Sequence, residues 1–359
     1  MIVTNRFDPD VRVLKEAKYL VSKGMSVKIL CWDREGHYKN KEYEEIDGIK
    51  IKRFYPFAKY GTGVKQLLAY IKFILQCKNY LKNQGYNYLH SHDLDGVIVG
   101  YLIKNKKSKL IFDMHEFYEV QGKKQHVRYL IRLIVNFFQN KSHSIIYVNE
   151  NQLSVMTKKN KSKATFIPNY PAKSDYEYKK QRSDLLRISY IGAVRQYEQL
   201  LNLLEACKNL NKVKVCIHGG GIAYKKLIEK KSFYRNAEIT GVFHYNNISK
   251  LYSEADILYA LYPMNTLQNR IAFPVKFFEA LITKTPIIVS KGSILEDFVL
   301  KSDIGFVVDG NSQKEIKKLI EYINNNRNVL CLKRKNIEKI QYKYTWEKVV
   351  GELDKIYKG

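Results

Sequence analysis

Residues Arg187-Ile188-Ser189-Tyr190-Ile191-Gly192 decide how this chain folds, because they restart a pattern that its first half has already run through once. A short run rich in Ile and aromatic residues, ended by glycine and followed by a segment of helical period, reads as a buried parallel strand and its crossover helix. Toward the C-terminus, Val213–His218, Glu238–Thr240, Asp256–Ala260, Pro286–Val289 and Phe306–Val308 read as strands of the same kind. Toward the N-terminus the strands are Ile2–Thr4, Val27–Cys31, Ile49–Phe54, Tyr88–His90, Leu110–Asp113, Ser144–Val148 and Thr165–Ile167, with helical segments beginning near Pro9, Gly63, Leu94, Lys123 and Asn149. The expected fold is α/β, with two doubly wound parallel sheets in succession.

The join shows in composition. Ala172 to Asp184 holds almost no aliphatic residue and follows Pro168-Asn169-Tyr170-Pro171, where the prolines stop regular structure. This gives domains at 1–171 and 186–341, a linker at 172–185, and a C-terminal helix at 342–359 that packs back on the first domain. Only Met1 to Thr4 precede the first loop, against about 5–6 residues in a mean strand, so the natural start is expected to lie upstream.

A chain of 359 residues suits two domains. Its apolar content, 45% with 28 Tyr and 16 Phe, excludes a disordered basic protein. No run is long and apolar enough to span a bilayer, and no signal peptide opens the sequence, so a cytoplasmic protein is expected. Five cysteines, widely spaced and never in a CxxC, indicate neither disulfides nor zinc. The formal net charge of +27, shared by both halves, calls for an anionic partner.

Several motifs carry chemistry beside a plainer reading. Asp8-Pro9-Asp10 and Asp93-Leu94-Asp95 have the Asp-x-Asp form that can hold a divalent cation against a diphosphate; helix capping accounts for them better, so no metal is expected. His218-Gly219-Gly220-Gly221 lacks the Gly-x-Ser-x-Gly that an esterase would require, and reads as a strand-end turn whose bare amides either approach a phosphate or pack tightly. In Phe273-Pro274-Val275-Lys276-Phe277-Phe278-Glu279, helix-start amides and Lys276 suit a phosphate, and Glu279 suits two ribose hydroxyls. Arg195, just beyond the Gly192 turn, and His115, in Asp113-Met114-His115-Glu116, both follow strand ends, where open sheets gather ligands.

Two basic amphipathic segments differ in their expected partners. Val64–Leu81 places Val64, Leu67, Leu68, Ile71, Ile74 and Leu75 on one face, which reads as a helix docked on a sheet. In Gly122–Lys141, apolar positions nearly encircle a helix bearing Lys123, Lys124, Arg128 and Arg132, so one side can pack in a core while the other rests on an anionic membrane.

The order of these motifs, from Asp10-Val11-Arg12-Val13-Leu14-Lys15-Glu16-Ala17 through His90-Ser91-His92-Asp93, Asp113-Met114-His115-Glu116, Val148-Asn149-Glu150, Pro168-Asn169-Tyr170-Pro171, Gly192-Ala193-Val194-Arg195 and Pro274-Val275-Lys276-Phe277-Phe278-Glu279 to Tyr344-Thr345-Trp346-Glu347, resembles that of the family 4 retaining glycosyltransferases of the GT-B fold (glycosyltransferase group 1). The resemblance implies two Rossmann-like doubly wound domains facing a central cleft, the N-terminal one binding acceptor and the C-terminal one binding a nucleotide-diphosphate sugar. It implies donor contacts at Gly192, Arg195, Gly219, Asn269, Lys276, Phe277 and Glu279, catalytic roles for His115, Glu279 and Arg195, and acceptor contacts at Asp10, Arg12 and His115. No cofactor beyond the donor is implied. The acceptor it suggests is a lipid-linked glycan of cell-surface polysaccharide or glycolipid synthesis, met at the inner face of the cell membrane.

The sequence departs from the family pattern where a first glutamate is common, which is Ile271 here, and where a basic residue often follows the Gly192 turn, which is Glu198 here. Two other classes share some of these features. A sugar-nucleotide epimerase or hydrolase of similar fold would keep the donor site, and a nucleic-acid-binding protein would explain the charge but shows no zinc finger, RRM signature or basic arm.

Overall fold

Eight strands form the first sheet: β1 (Ile2–Val3), β2 (Lys28–Trp32), β3 (Tyr43–Ile46), β4 (Ile49–Phe54), β5 (Tyr88–His92), β6 (Lys109–Met114), β7 (Ser144–Tyr147) and β8 (Ala164–Phe166). Their order is β3-β4-β2-β1-β5-β6-β7-β8, and every pairing is parallel except β3 with β4. Six strands, β9 (Leu186–Ile191), β10 (Val213–His218), β11 (Ala237–Gly241), β12 (Ile257–Ala260), β13 (Ile287–Ser290) and β14 (Gly305–Val308), form the second, in the all-parallel order β11-β10-β9-β12-β13-β14. This computed structural model describes residues 1–8, 10–59, 62–118, 125–176, 180–181 and 183–357. The chain divides into one unit of 1–169 with 350–359 and another of 170–349.

Each sheet reverses its winding once, between β1 and β5 in the first unit and between β9 and β12 in the second. Ligands of open α/β sheets bind beyond the strand carboxyl ends at such points, because the crossovers part there and leave a crevice. The loops that open from these ends carry Thr4, Asp93, Gly192 and Tyr262.

The strand β3 lies where the sequence suggested only a loop. Ile46 pairs with Ile49 across Asp47-Gly48, both with positive φ (51° and 77°), which is the two-residue hairpin turn that matches strand twist. Its sequence Tyr-Glu-Glu-Ile shows no clear apolar alternation because, at the sheet edge, the Tyr43 and Glu45 face is exposed and the Glu44 and Ile46 face only half-buried.

A second difference concerns the helix Leu67–Leu81, preceded by a 3-10 turn at Gly63–Gln66. Its buried residues are Ala69, Phe73, Cys77 and Leu81, one stripe of period four, which joins Trp32, Phe54 and Leu89 in the core on one sheet face. Of the face expected to dock, only Ile74 packs against this core, half-buried, while Val64, Leu67, Leu68, Ile71 and Leu75 are exposed. In the helix Gln125–Lys141 only Val135, Phe138 and Gln139 are buried.

Within the second unit, Tyr176 and Lys180 of the segment read as a linker are packed: Tyr176 is buried, and the Lys180 ammonium donates to the Tyr252 carbonyl at 3.1 Å. The C-terminal segment is broken into the helical turn Trp346–Val349, a 3-10 turn Val350–Leu353 and the turn Asp354–Tyr357. In the first unit the Tyr357 ring packs at a tilt against Tyr88 and its hydroxyl meets His90 Nδ1 at 2.7 Å. Four cysteines are buried and Cys331 is exposed. Among the described residues, no helix is long and apolar enough to cross a membrane.

Candidate active site

In the second unit, two strand-end turns lie back to back. The Gly192 amide donates to the His218 carbonyl at 2.9 Å and the Val194 amide to the Gly220 carbonyl at 2.8 Å. A side chain at Gly219 (φ 137°) would collide with the Gly192 carbonyl, and one at Gly221 with that of Val194, so these two glycines are required by this approach, while one at Gly220 would meet the Val242 side chain. Gly219 is thus a packing residue whose amide already donates to Gly241.

Beside this turn stands Lys276, in the first turn of the helix Val275–Ile282. Pro274 precedes the helix and offers no side-chain cap; its carbonyl accepts from the Phe277 amide at 2.9 Å, which leaves the amides of Val275 and Lys276 to face an anion. The Lys276 ammonium lies 3.6 Å from the centroid of the Tyr190 ring and 5.7 Å from that of Tyr262, close to Gly192. Burial pushes its pKa down to about 7, and the Glu279 carboxylate only partly opposes this. Among the described residues it forms no ion pair, so a buried ammonium sits over an aromatic ring without an anionic contact partner.

Glu279 is held from both sides, since Tyr176 Oη donates to Oε1 at 2.6 Å and Tyr252 Oη to Oε2 at 2.9 Å. Arg195 is exposed at the mouth of this site, near Tyr190 and Tyr262. Asn269 lines a cavity of about 50 Å³ with Tyr262, Pro274, Ser290 and Ser293, and its side chain donates to the Pro263 carbonyl at 2.8 Å. Phe277 is placed differently from the expectation. It is fully buried among Phe273, Phe278 and Phe298, so its ring seats the helix in the core and does not face a ligand. Ile271 ends the helix Leu267–Ile271, and Glu198 lies in the first turn of Tyr197–Cys207.

In the first unit, the carboxyl ends of β5 and β6 bring His92, Asp93, Asp113 and His115 together. Asp113 Oδ2 lies 2.9 Å from His115 Nε2 and 3.0 Å from His92 Nδ1, while Asp93 Oδ2 faces His115 Nδ1 at 3.4 Å. Asp93 takes a left-handed backbone (φ 64°) and accepts from Tyr118 Oη, which fixes its carboxylate against the imidazole. Burial alone would lower the His115 pKa; Asp93 and Asp113 more than offset it and raise it to about 10. His115 is therefore an imidazolium with both ring nitrogens engaged.

Behind it, Arg12 is buried, with Nη2 at 2.8 Å from Asp113 and 3.1 Å from Glu16. Burial opposes the Asp113 charge, but the Arg12 guanidinium and His115 hold its pKa well below the ordinary carboxylate range. Burial pushes His92 well below the usual histidine range. Ligand atoms of Glu16, His90, His92 and Asp113 lie within 4.8 Å of one another, as those of a metal site do. The Arg12 guanidinium already supplies the cation there. Arg12 is thus a core residue under the site and not on its surface.

The remaining sequence candidates lie apart from these contacts. Asp10 caps the helix Val11–Ser22, accepting from the Val13 amide, and Asp8 pairs with Arg6 and Tyr38. Arg128 and Arg132 lie on the helix Gln125–Lys141, whereas Lys123 and Lys124 fall outside the described residues. Tyr176, Tyr252, His92 and Asp113 were given no role from sequence, and Asp93 was read only as a helix cap. For Tyr176 the composition pointed away, since its segment has almost no aliphatic residues. For Asp93 the signal was present, as an acidic residue closing a strand beside a histidine.

Two parallel-sheet units, each with a polar crevice beyond its strand ends, define a GT-B-fold glycosyltransferase. Residues 175–344 match the glycosyl transferases group 1 and residues 10–170 match glycosyltransferase family 4. The chain belongs to this group 1, family 4 class of glycosyltransferases. No curated protein matches the sequence. Similar solved structures include sucrose-phosphate synthase from Thermosynechococcus elongatus (TM-score 0.78, 15% identity, covering 99% of this chain and 94% of that one). Others are Anabaena HepE in complex with UDP-glucose (0.71, 12%, 99% and 98%) and WaaG, a glycosyltransferase involved in lipopolysaccharide biosynthesis (0.70, 14%, 100% and 99%).

Proposed function

We propose that the chain is a metal-independent, retaining hexosyltransferase that moves a sugar from a nucleotide-diphosphate donor to a lipid-linked glycan. The observation that carries this reading is the buried Lys276 ammonium, without an anionic contact partner among the described residues, at a helix start with no side-chain cap beside the Gly192–Gly219 turn. A diphosphate supplies the charge that this arrangement lacks, and Arg195 adds a second cation at the mouth. Glu279, steered by Tyr176 and Tyr252, is the carboxylate that accepts from the ribose hydroxyls.

In the reaction the acceptor hydroxyl oxygen bonds to the anomeric carbon as the bond from that carbon to the diphosphate breaks on the same face. The acceptor proton passes to the leaving diphosphate oxygen. Lys276, Arg195 and the helix amides stabilise the charge that develops on it. His115, clamped between two carboxylates, acts as a fixed cation in the acceptor-binding unit and does not serve as a base. Asp8, Asp10, Asp93 and Asp95 are each engaged by protein groups, which supports metal independence.

The acceptor reading rests on the charge of +27 and on the basic helix bearing Arg128 and Arg132, which suits attachment to an anionic membrane. UDP-glucose is the first donor to test, because the HepE complex holds it. Lys276→Met is expected to lower UDP-glucose affinity at least tenfold by calorimetry, roughly 1.4 kcal/mol or more. Glu279→Gln, which keeps the shape but accepts from one tyrosine only, should weaken UDP and UDP-glucose equally. Unchanged affinity in both variants would overturn the donor site.

A further inference from the structure

We propose that the outer faces of the helices Leu67–Leu81, Asp93–Ile103 and Gln125–Lys141 form one continuous docking surface for an anionic lipid bilayer, with Leu68 and Ile71 entering its acyl region. The proposal rests on the peripheral membrane reading above and names the elements that make the contact.

All three helices send their buried residues into the same core: Phe73, Cys77 and Leu81 from the first, Val97, Val99 and Ile103 from the second, Val135 and Phe138 from the third. They therefore cover one face of the first sheet as a single layer. Tyr101 of the middle helix packs edge-on against Phe137 and Phe138, and Tyr70 of the first donates to the Asp95 carbonyl, which ties the layer together. Opposite the sheet, the layer presents large apolar side chains. Val64, Leu68 and Leu67 are 85%, 74% and 53% exposed, and Leu102, Tyr129, Leu130, Leu133 and Phe137 continue the patch. Scattered apolar residues on a surface are ordinary, but a contiguous field over three neighbouring helices marks an interaction site.

Charge selects the occupant. From Ile49 to His92 the chain has eight lysines and arginines and no acidic residue, and none occurs between Asp95 and Asp113 or from Val120 to Asn149. Lys72, Lys78, Lys82, Lys104 and Arg132 are exposed around the patch. A second copy of the chain pairing through this face would oppose cation to cation. An anionic headgroup layer neutralises the rim while its acyl chains receive the apolar centre, the geometry of an interfacial amphipathic helix.

The test is co-sedimentation with vesicles of phosphatidylglycerol and phosphatidylcholine, against phosphatidylcholine alone, for the whole chain and three variants. Leu68→Glu/Ile71→Glu is expected to lower partitioning about tenfold. Leu130→Glu/Leu133→Glu should cause a similar loss and Arg132→Glu a smaller one, and high salt should weaken binding of the parent. All of these positions are exposed, and melting curves matching the parent would verify that the variants fold. Retained binding by Leu68→Glu/Ile71→Glu, with loss in Leu130→Glu/Leu133→Glu, would overturn the shared surface while leaving the membrane reading intact. A dimer in sedimentation velocity that Leu68→Glu/Ile71→Glu dissociates would also overturn it, by assigning the face to a second copy. Donor affinity, read separately at Lys276, distinguishes a failure of the transferase reading from a failure of this surface.

Discussion

Lys276 shows how one residue couples fold, charge and ligand. Burial over the Tyr190 ring holds its pKa near 7 in the free protein, so above that pH most molecules carry a neutral amine. A bound diphosphate favours the ammonium and raises the pKa, so binding above neutrality takes up a proton. Donor affinity is therefore expected to be flat below about pH 7 and to fall by up to about tenfold per pH unit above it, until the bound-state pKa is passed. Calorimetry of UDP-glucose binding at about pH 8 in buffers of different ionisation enthalpy should show close to one proton taken up. Lys276→Arg, whose guanidinium stays charged, should remove that uptake. Binding with no proton exchange in the parent protein would refute this electrostatic account.

At the scale of elements, the back-to-back glycine turns after β9 and β10 set the floor of the proposed donor site. Gly219→Ala introduces a Cβ into the Gly192 carbonyl at a backbone angle that L residues rarely adopt. The expected cost is about 1–3 kcal/mol in stability, with UDP-glucose affinity reduced more than about tenfold because the turn must shift. Gly85→Ala, which has open space and no left-handed φ, serves as the neutral control, and equal effects in the two variants would contradict the packing argument. The strands β4 and β10 have the bounds read from sequence, and the fully buried β12 and β13, Ile-Leu-Tyr-Ala and Ile-Ile-Val-Ser, show the apolar character of parallel strands covered on both faces. β3 was missed although Asp47-Gly48 carried the hairpin signal, since its two glutamates hide the alternation. The helix Leu67–Leu81 was turned the wrong way round for a different reason. The sheet accepts the stripe Ala69, Phe73, Cys77 and Leu81, while the more apolar stripe faces out. Hydrophobicity identifies the sheet-facing side only when no other apolar surface competes for it. In the site, Lys276 and Gly192 were legible from turn and helix-start chemistry. Tyr176 and Tyr252 were not, because Glu279, which they hold, lies 103 and 27 residues away.

Over the whole molecule, the chain leaves its first unit at Asn169, builds the second, and returns with 350–359. The return is fastened by Tyr357, whose ring centroid lies 4.8 Å from that of Tyr88 and whose hydroxyl meets the buried His90, 267 residues earlier. Asp354 accepts from Tyr19 at 2.9 Å, and Leu353 and Ile356 are buried alongside. Closing so long a loop costs chain entropy that grows slowly with length, so a few well-packed side chains suffice to hold the segment. Tyr357→Ala removes the ring and leaves His90 Nδ1 without its partner, an expected loss of about 2–4 kcal/mol in the stability of the first unit. The two tryptophans allow this to be read locally, since Trp32 is buried in the first unit and Trp346 in the second. In a Trp346→Phe background, fluorescence reports the first unit through Trp32, and Tyr357→Ala should move its urea midpoint to lower concentration with little change in slope. Tyr357→Phe, which keeps the ring but loses the hydroxyl, should recover most of the shift if packing dominates. An unmoved midpoint in Tyr357→Ala would mean that the returning segment contributes nothing to the unit it completes.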